Sequence, residues 1–320
     1  LRSAFPADLG VVTSYFNPCG FRTRAENFER FAEPLRASGL PLVVVEAAFG
    51  AEPFTLDPSH APLRVRGRDL MWQKERLLNL ALAQLPAQCT KVVWLDADVA
   101  FEDPEWAHAT SQALERVPIV QPFDEVVRLP RGHLRFTGEG ERWSGFGAVY
   151  AKDPQRLLGG DFAAHGHTGF AWGARREVLT RHGLYDACIA GSGDHMMAHA
   201  FCGDWESPCI RRILGPRGAH LRFFRAWSKR LYGDVRARVR SVPGRILHFW
   251  HGETANRRYV LRNRELAGFD FDPALDVRVD DAGCWAWSSE KPQLHAWATD
   301  YFRQRREDDD GAPDLLNVSA

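Results

Sequence analysis

Three observations in the first hundred residues predict an α/β fold built on a mostly parallel sheet flanked by helices. Short apolar, β-branched runs recur at Leu9–Tyr15, Leu42–Ala47 and Lys91–Leu95, stretches of helical period separate them, and turn residues mark the junctions. The first run, LGVVTSY, leads into the turn-rich Asn17-Pro18-Cys19-Gly20. A helical pattern from Glu26 to Ala37 then closes at Gly39, and LVVVEA supplies the second buried strand. From Leu70 to Leu85, apolar residues at Leu70, Leu77, Leu78, Ala81, Leu82 and Leu85 give one helix face, which Pro86 stops. The third strand, KVVWL, runs directly into Asp96-Ala97-Asp98. Strands joined by helices imply right-handed crossovers, and such sheets bind ligands at the carboxyl ends of their strands.

The second half is less regular. Glycine and tryptophan are dense from Gly138 to Gly173, helices are predicted over 175–182 and 194–201, and RILHFW (Arg245–Trp250) reads as a strand. An Asp-rich extension follows, with Glu307-Asp308-Asp309-Asp310-Gly311 near its end, and the last dozen residues read as a frayed tail.

Composition excludes several classes. A hydrophobic share of 45% with 12% aromatics supports a sizeable core, which removes disordered and fibrous architectures. Forty-one basic residues balance 41 acidic ones, so the chain is not a uniformly basic wrapper for a polyanion. No run of about 18 apolar residues occurs, and Leu1–Pro6 lacks the apolar core of a signal peptide, so a cytoplasmic location is expected. The six cysteines form no CxxC pair, which weakens zinc-ribbon and redox readings. They read as buried thiols, with a Cys202–Cys209 disulfide as the main exception.

The sharpest local feature is VVWLDADVAF, Val92–Phe101. Two carboxylates one residue apart, at the exposed end of a buried strand, repel each other unless a positive group joins them. A divalent cation is the natural candidate, and oxygen ligands suit Mg²⁺ or Mn²⁺. The structural alternative is a pair of loop caps.

Two families use such a motif. LDADV satisfies the nucleophile pattern of haloacid-dehalogenase-type phosphatases, in which Asp96 would attack phosphorus, but that motif normally opens its fold and here about 90 residues precede it. The order of elements is more similar to that of GT-A-type nucleotide-sugar glycosyltransferases, family-2-like and DxD-containing. GHTGFAWGARREVL (Gly166–Leu179) resembles the segment of inverting GT-A enzymes in which a small-residue turn precedes an Arg-rich helix start. Gly191-Ser192-Gly193-Asp194 resembles their Gly-rich loop ending in a carboxylate, with Ser192-Gly193 in place of the usual acidic doublet. The resemblance implies that Asp194 deprotonates the acceptor hydroxyl, which chemistry supports because a hydroxyl nucleophile needs a positioned proton acceptor. As a plain structural residue Asp194 would cap a helix.

Ile246–Gly252 contains an HFxxG shape similar to that of glycogenin-like transferases. The resemblance makes His248 the third metal ligand beside Asp96 and Asp98. His251 competes for that role, since alternation along a strand points the two imidazoles to opposite faces. The late histidine is more like retaining enzymes and the GSGD loop more like inverting ones.

By the same resemblance the donor nucleotide would meet Thr13, Tyr15 and Asn17 at the end of the first strand, together with Lys74, Arg76, Asn79 and Asp96. Turn chemistry and a solvated helix face are the alternatives for these residues. Trp143, Trp172 and Arg175 would contact the acceptor or the sugar, with core packing the alternative for each tryptophan.

Between Arg211 and Arg245 stand eleven basic residues against the single acid Asp234, interleaved with Phe223, Phe224, Trp227 and Tyr232. The segment reads either as a contact for nucleic acid, an anionic glycan or a membrane surface, or as an amphipathic helix with a solvated basic face.

The expectation is a GT-A catalytic domain over 1–255, with a nucleotide-binding half (9–100) and an acceptor half (101–255), and a C-terminal extension (256–320). Its reaction would be transfer of a hexosyl or pentosyl group from a nucleotide-diphosphate sugar to a hydroxyl acceptor, dependent on Mn²⁺ or Mg²⁺. A phosphatase using Asp96, or a noncatalytic nucleic-acid-binding protein acting through 211–245, are the alternatives.

Overall fold

A computed structural model describes residues 5–308 apart from Gly159, Asp161 and Ala163, and apart from the side chain of Arg156. The predicted frayed tail, from 309 onward, lies outside the described residues.

The chain opens as predicted. Strand β1 (Leu9–Tyr15) is buried along its whole length, and helix α1 (Arg22–Ser38) ends on Gly39, whose φ of 77° supplies the left-handed cap that a Cβ would disfavour. Then come β2 (Leu42–Phe49), β3 (Leu63–Gly67), α2 (Lys74–Gln84) and β4 (Lys91–Leu95). Helix α2 starts four residues later than its apolar pattern, because the Trp72 amide donates to the Ile189 carbonyl and holds 70–73 outside the helix. Next are β5 (Val99–Phe101), α3 (Trp106–Arg116), β6 (Ile119–Gln121), β7 (Glu125–Arg128), β8 (Glu141–Ser144), α4 (Phe146–Lys152) and α5 (Pro154–Leu157). They are followed by β9 (Ala171–Arg175), α6 (Arg176–His182), α7 (Gly193–Cys202), α8 (Pro208–Leu214), α9 (Ala219–Val235), β10 (Val239–Ser241) and β11 (Arg245–His248). A 3₁₀ turn (Thr254–Arg257), α10 (Tyr259–Gly268), β12 (Val277–Val279), β13 (Trp285–Trp287) and α11 (Pro292–Gln304) complete the described chain.

Among the described residues the main sheet has seven strands in the order β10-β6-β9-β4-β1-β2-β3. The pairs β4-β1, β1-β2, β2-β3 and β10-β6 are parallel, and β9 alone runs against its neighbours. A smaller sheet, β5-β11-β7-β8, stands beside it. Alternation along the central strands sorts the core into two layers. Val12, Val92 and Trp94 join Leu77, Trp172, Met197 and Phe224 on one face, whereas Val11, Tyr15 and Val93 join Phe28, Phe31 and Leu114 on the other. The segment beyond 255 packs Leu266, Phe271 and Trp287 against Met71 and Ile189. No described helix is long and apolar enough to cross a membrane.

All six cysteines are thiols, so Cys202 and Cys209 form no disulfide, and all but Cys19 are buried. The basic segment becomes mainly α9, an amphipathic helix. Leu221, Phe224, Trp227, Leu231 and Val235 are buried along one face, and Arg222, Lys229 and Arg230 are exposed on the other. Phe224 and Trp227 are therefore core residues, and Phe223 is the exposed aromatic of the helix.

Candidate active site

The carboxyl ends of β1 and β4 open into a cavity of about 520 Å³. Strand β4 stops at Leu95, and the chain crosses through Asp96-Ala97-Asp98 into β5. Strand β5 pairs antiparallel with β11 in a register that sets Val99 opposite His248, so Asp98 faces the end of β11. The predicted strand over 245–250 ends early, at His248, where the Phe249 amide turns to donate to the Asp98 carbonyl.

That turn removes the alternation expected between the two histidines. Both imidazoles converge on Asp98: His251 Nε2 lies 3.1 Å from Oδ2, His248 Nε2 lies 3.8 Å from Oδ1, and the two Nε2 atoms are 2.9 Å apart. Asp98 Oδ1 is buried with no hydrogen-bond partner among the described residues. Burial, aided by repulsion from Asp96, pushes the Asp98 carboxyl up to about 7. Burial likewise holds both imidazoles neutral, His251 down to about 3, with Arg257 adding repulsion to each.

Asp96 points elsewhere. Its Oδ1 accepts from Lys74 Nζ at 2.6 Å and its Oδ2 from the Phe170 amide at 3.2 Å, while its own amide donates to the Phe170 carbonyl at 2.8 Å. Phe170 is held there at φ 80°, a left-handed conformation that a bulky side chain rarely adopts and that costs about 1–3 kcal/mol. Asp96 is thus a lysine partner in this geometry, and Asp98 with the two histidines forms the cluster that could hold a metal ion.

Lys74 bridges two carboxylates, because Nζ also reaches Asp194 Oδ2 at 2.5 Å. Lys74 opens α2, and Asp194 lies in the first turn of α7 behind Ser192, which is itself left-handed at φ 78°. Asp194 does not cap its helix, since Ser192 occupies the cap position. Burial raises the Asp194 carboxyl, Lys74 opposes the shift and Asp96 reinforces it. Behind them, burial pushes Glu75 up to about 8, against the pull of Lys74.

Arg24, Arg128, Arg257, Arg262 and Arg305 also line the cavity. With Lys74 they set six cationic side chains against the carboxylates of Asp96, Asp98 and Asp194, a lining suited to an anionic ligand. No motif announced these arginines, which come from distant segments. Glu307, almost completely buried, pairs with Arg24 at 3.2 Å and Arg305 at 2.5 Å and lies 3.6 Å from His251 Nδ1. The residues read as an acidic tail therefore begin with a carboxylate built into the site.

Of the remaining predicted residues, Tyr15 and Trp143 line the cavity, Trp143 about half exposed on β8. The others have framework roles. Thr13 is fully buried and donates to the Leu95 carbonyl, and Asn17 brackets the Phe21 backbone through its amide. Arg76 and Asn79 lie farther along α2 and bond the Gly283 carbonyl, Leu184 and Asp186. Trp172 pairs with Trp94 in the sheet and packs into the core. Arg175 is corrected by strand direction: β9 is antiparallel to β4, so its last residue lies opposite Lys91, at the amino-terminal end of β4 and away from the cavity, where Arg175 bonds the Leu114 and Glu115 carbonyls. None of the eleven basic residues of 211–245 lines the cavity; Arg211 and Arg225 pair with Glu206, and Arg245 with Glu102 and Glu125.

No protein-family model matches the chain, and no curated protein matches it. Among solved structures it is similar to glucosyl-3-phosphoglycerate synthase from Mycobacterium tuberculosis in complex with Mn²⁺, UDP-glucose and phosphoglyceric acid, at 15% identity and a TM-score of 0.39, over 88% of this chain and 86% of that one. It is also similar to mannosyl-3-phosphoglycerate synthase from Rubrobacter xylanophilus, at 12% identity and a TM-score of 0.41, over 82% and 72% of the two chains. The catalytic domain of Drosophila β1,4-galactosyltransferase 7 matches at 9% identity and a TM-score of 0.37, over 91% and 98%.

Proposed function

We propose that this chain is a metal-dependent glycosyltransferase of the GT-A type, moving a hexosyl or pentosyl group from a nucleoside-diphosphate sugar to a hydroxyl acceptor with inversion. The observation that carries the reading is one cationic cavity, at the carboxyl ends of parallel strands, lined both by the Asp98-His248-His251 cluster and by the Lys74-held Asp194. On this reading 9–100 is the nucleotide half, 101–255 the acceptor half and 256–320 an extension.

The cluster fits a divalent cation: a buried carboxylate oxygen without a partner faces two neutral imidazoles. Two nitrogen donors favour Mn²⁺ over Mg²⁺, which prefers an all-oxygen shell. When bound, such an ion supplies positive charge to the diphosphate oxygens. The remaining work falls to side chains of this chain. Asp194 accepts the proton of the acceptor hydroxyl, and Lys74 fixes the orientation of Asp194 and Asp96. The cavity arginines match phosphate oxygens, and Trp143 offers a ring face to a sugar at the rim.

A thermal-shift panel of nucleoside diphosphates with and without Mn²⁺ tests the reading. One nucleotide is expected to raise Tm only with metal, since ligand at 100 times its Kd adds about 2.7 kcal/mol, and Asp98→Ala should abolish that shift. Asp194→Asn should keep the shift and lose about 10²–10⁴-fold in transfer rate. Absence of any metal-dependent shift, or a loss below about tenfold in Asp194→Asn, overturns it.

A further inference from the structure

A second cluster lies against the same cavity and has no part in the proposed reaction. His165 precedes the Gly166–Phe170 loop, His195 and His199 stand one turn apart on α7, and Cys209 is at the start of α8. All four are buried, and one ligand atom from each lies within 4.8 Å of the others.

We propose that His165, His195, His199 and Cys209 form a structural Zn²⁺ site that fastens the Gly166–Phe170 loop to α7 and α8. The donor set is three imidazole nitrogens and one thiolate, which suits zinc's tetrahedral N/S preference and leaves no open position for chemistry. Zinc bonds of about 2.0–2.3 Å give tetrahedral edges of about 3.3–3.8 Å, and His199 Nε2 already stands 3.2 Å from Cys209 Sγ.

The tautomers are fixed by acceptors that cannot donate. His199 Nδ1 must donate to Asp204 Oδ2 at 2.8 Å, and His165 Nδ1 to the Gly166 carbonyl at 2.9 Å, so both Nε2 lone pairs face the cluster. These are the carboxylate–histidine and carbonyl–histidine contacts that orient metal-bound imidazoles. His165 Nε2 and His195 Nε2 are buried with no hydrogen-bond partner among the described residues, an unfavourable state that a metal ion would remove. Ser207 Oγ lies 3.1 Å from Cys209 Sγ and can donate to the thiolate. Binding would release the thiol proton to solvent.

The consequence is positional. His195 is next to Asp194, and His165 opens the loop whose Phe170 amide bonds Asp96, so the ion would brace two walls of the cavity.

The test uses the full chain, supplied with Zn²⁺ and dialysed against a chelator, then analysed by elemental mass spectrometry and zinc-edge X-ray absorption. About one zinc per chain with one sulfur near 2.3 Å in the shell is expected. Cys209→Ser should lose the zinc, Asp98→Ala should keep it, and Asp204→Ala should weaken affinity about 10–100-fold. A zinc-free wild-type protein, a shell without sulfur, or zinc lost from Asp98→Ala and kept by Cys209→Ser overturns the proposal. The wild-type absorption spectrum decides even where Cys209→Ser fails to fold.

Discussion

Lys74 ties two carboxylates of the cavity to one ammonium. Its side chain is 12% exposed, its ammonium lies between Asp96 and Asp194, and their attraction outweighs its burial and holds its pKa well above the usual lysine value. Removing one partner from buried ions leaves the others uncompensated, at a cost of about 3–5 kcal/mol. Lys74→Met should therefore lower the urea midpoint by that equivalent, and under the proposed function the transfer rate should fall with it as Asp194 loses its orienting cation. An unchanged midpoint would show that water already screens the two carboxylates. The left-handed Phe170 and Ser192 flank the same pair, which is where strained backbone collects when a site is held by its surroundings.

At the scale of elements, α2 and α7 meet through a residue without a side chain. A Cβ at Gly193 would run into the Glu75 carboxyl, so glycine permits the approach that brings Asp194 to Lys74. Gly193→Ala should cost about 1–3 kcal/mol by overpacking, and Glu75→Ala in the same chain should recover most of it. Strictly additive losses in urea denaturation would refute this contact. Helix α9 shows the opposite relation of sequence to role. Its basic residues follow from amphipathic periodicity, with an aromatic face in the core and cations in solvent, so the excess of charge in 211–245 decorates the exterior and leaves the cavity to arginines from elsewhere.

For the whole molecule, acid stability depends on buried neutral histidines. His220 packs edge-on to Phe271 and beside Tyr185, its Nε2 has no hydrogen-bond partner among the described residues, and burial pushes its pKa down to about 3. The unfolded chain, with a histidine pKa near 6.5, binds the proton first, so stability is full above about pH 6.5 and is lost as pH falls toward 3. From pH 7 to pH 4 this one group should remove about 3 kcal/mol. His220→Phe should flatten that part of the stability curve relative to wild type, measured by urea unfolding across the range; parallel curves would contradict it.

Short-range rules reach only what neighbouring residues decide. A β-branched run, a stop residue and a carboxylate next to a strand end are local facts, so β1, β2, β4, α6, α7 and the positions of Asp96, Asp98 and Asp194 were legible. Even the neutral balance of 41 against 41 was informative as an exclusion. Direction and convergence were decided only by the tertiary structure. The antiparallel insertion of β9 sent Arg175 away from the site, the early end of β11 brought His251 to the same side as His248, and helix rotation turned Arg76 and Asn79 into framework. The cavity's six cations come mostly from segments far apart along the chain, and within the His165-His195-His199-Cys209 cluster only His195 and His199, one helical turn apart, carry a spacing that the sequence shows. The physical reason is that apolar periodicity reports which face of an element is buried, whereas the meeting of polar side chains depends on how several buried faces pack together.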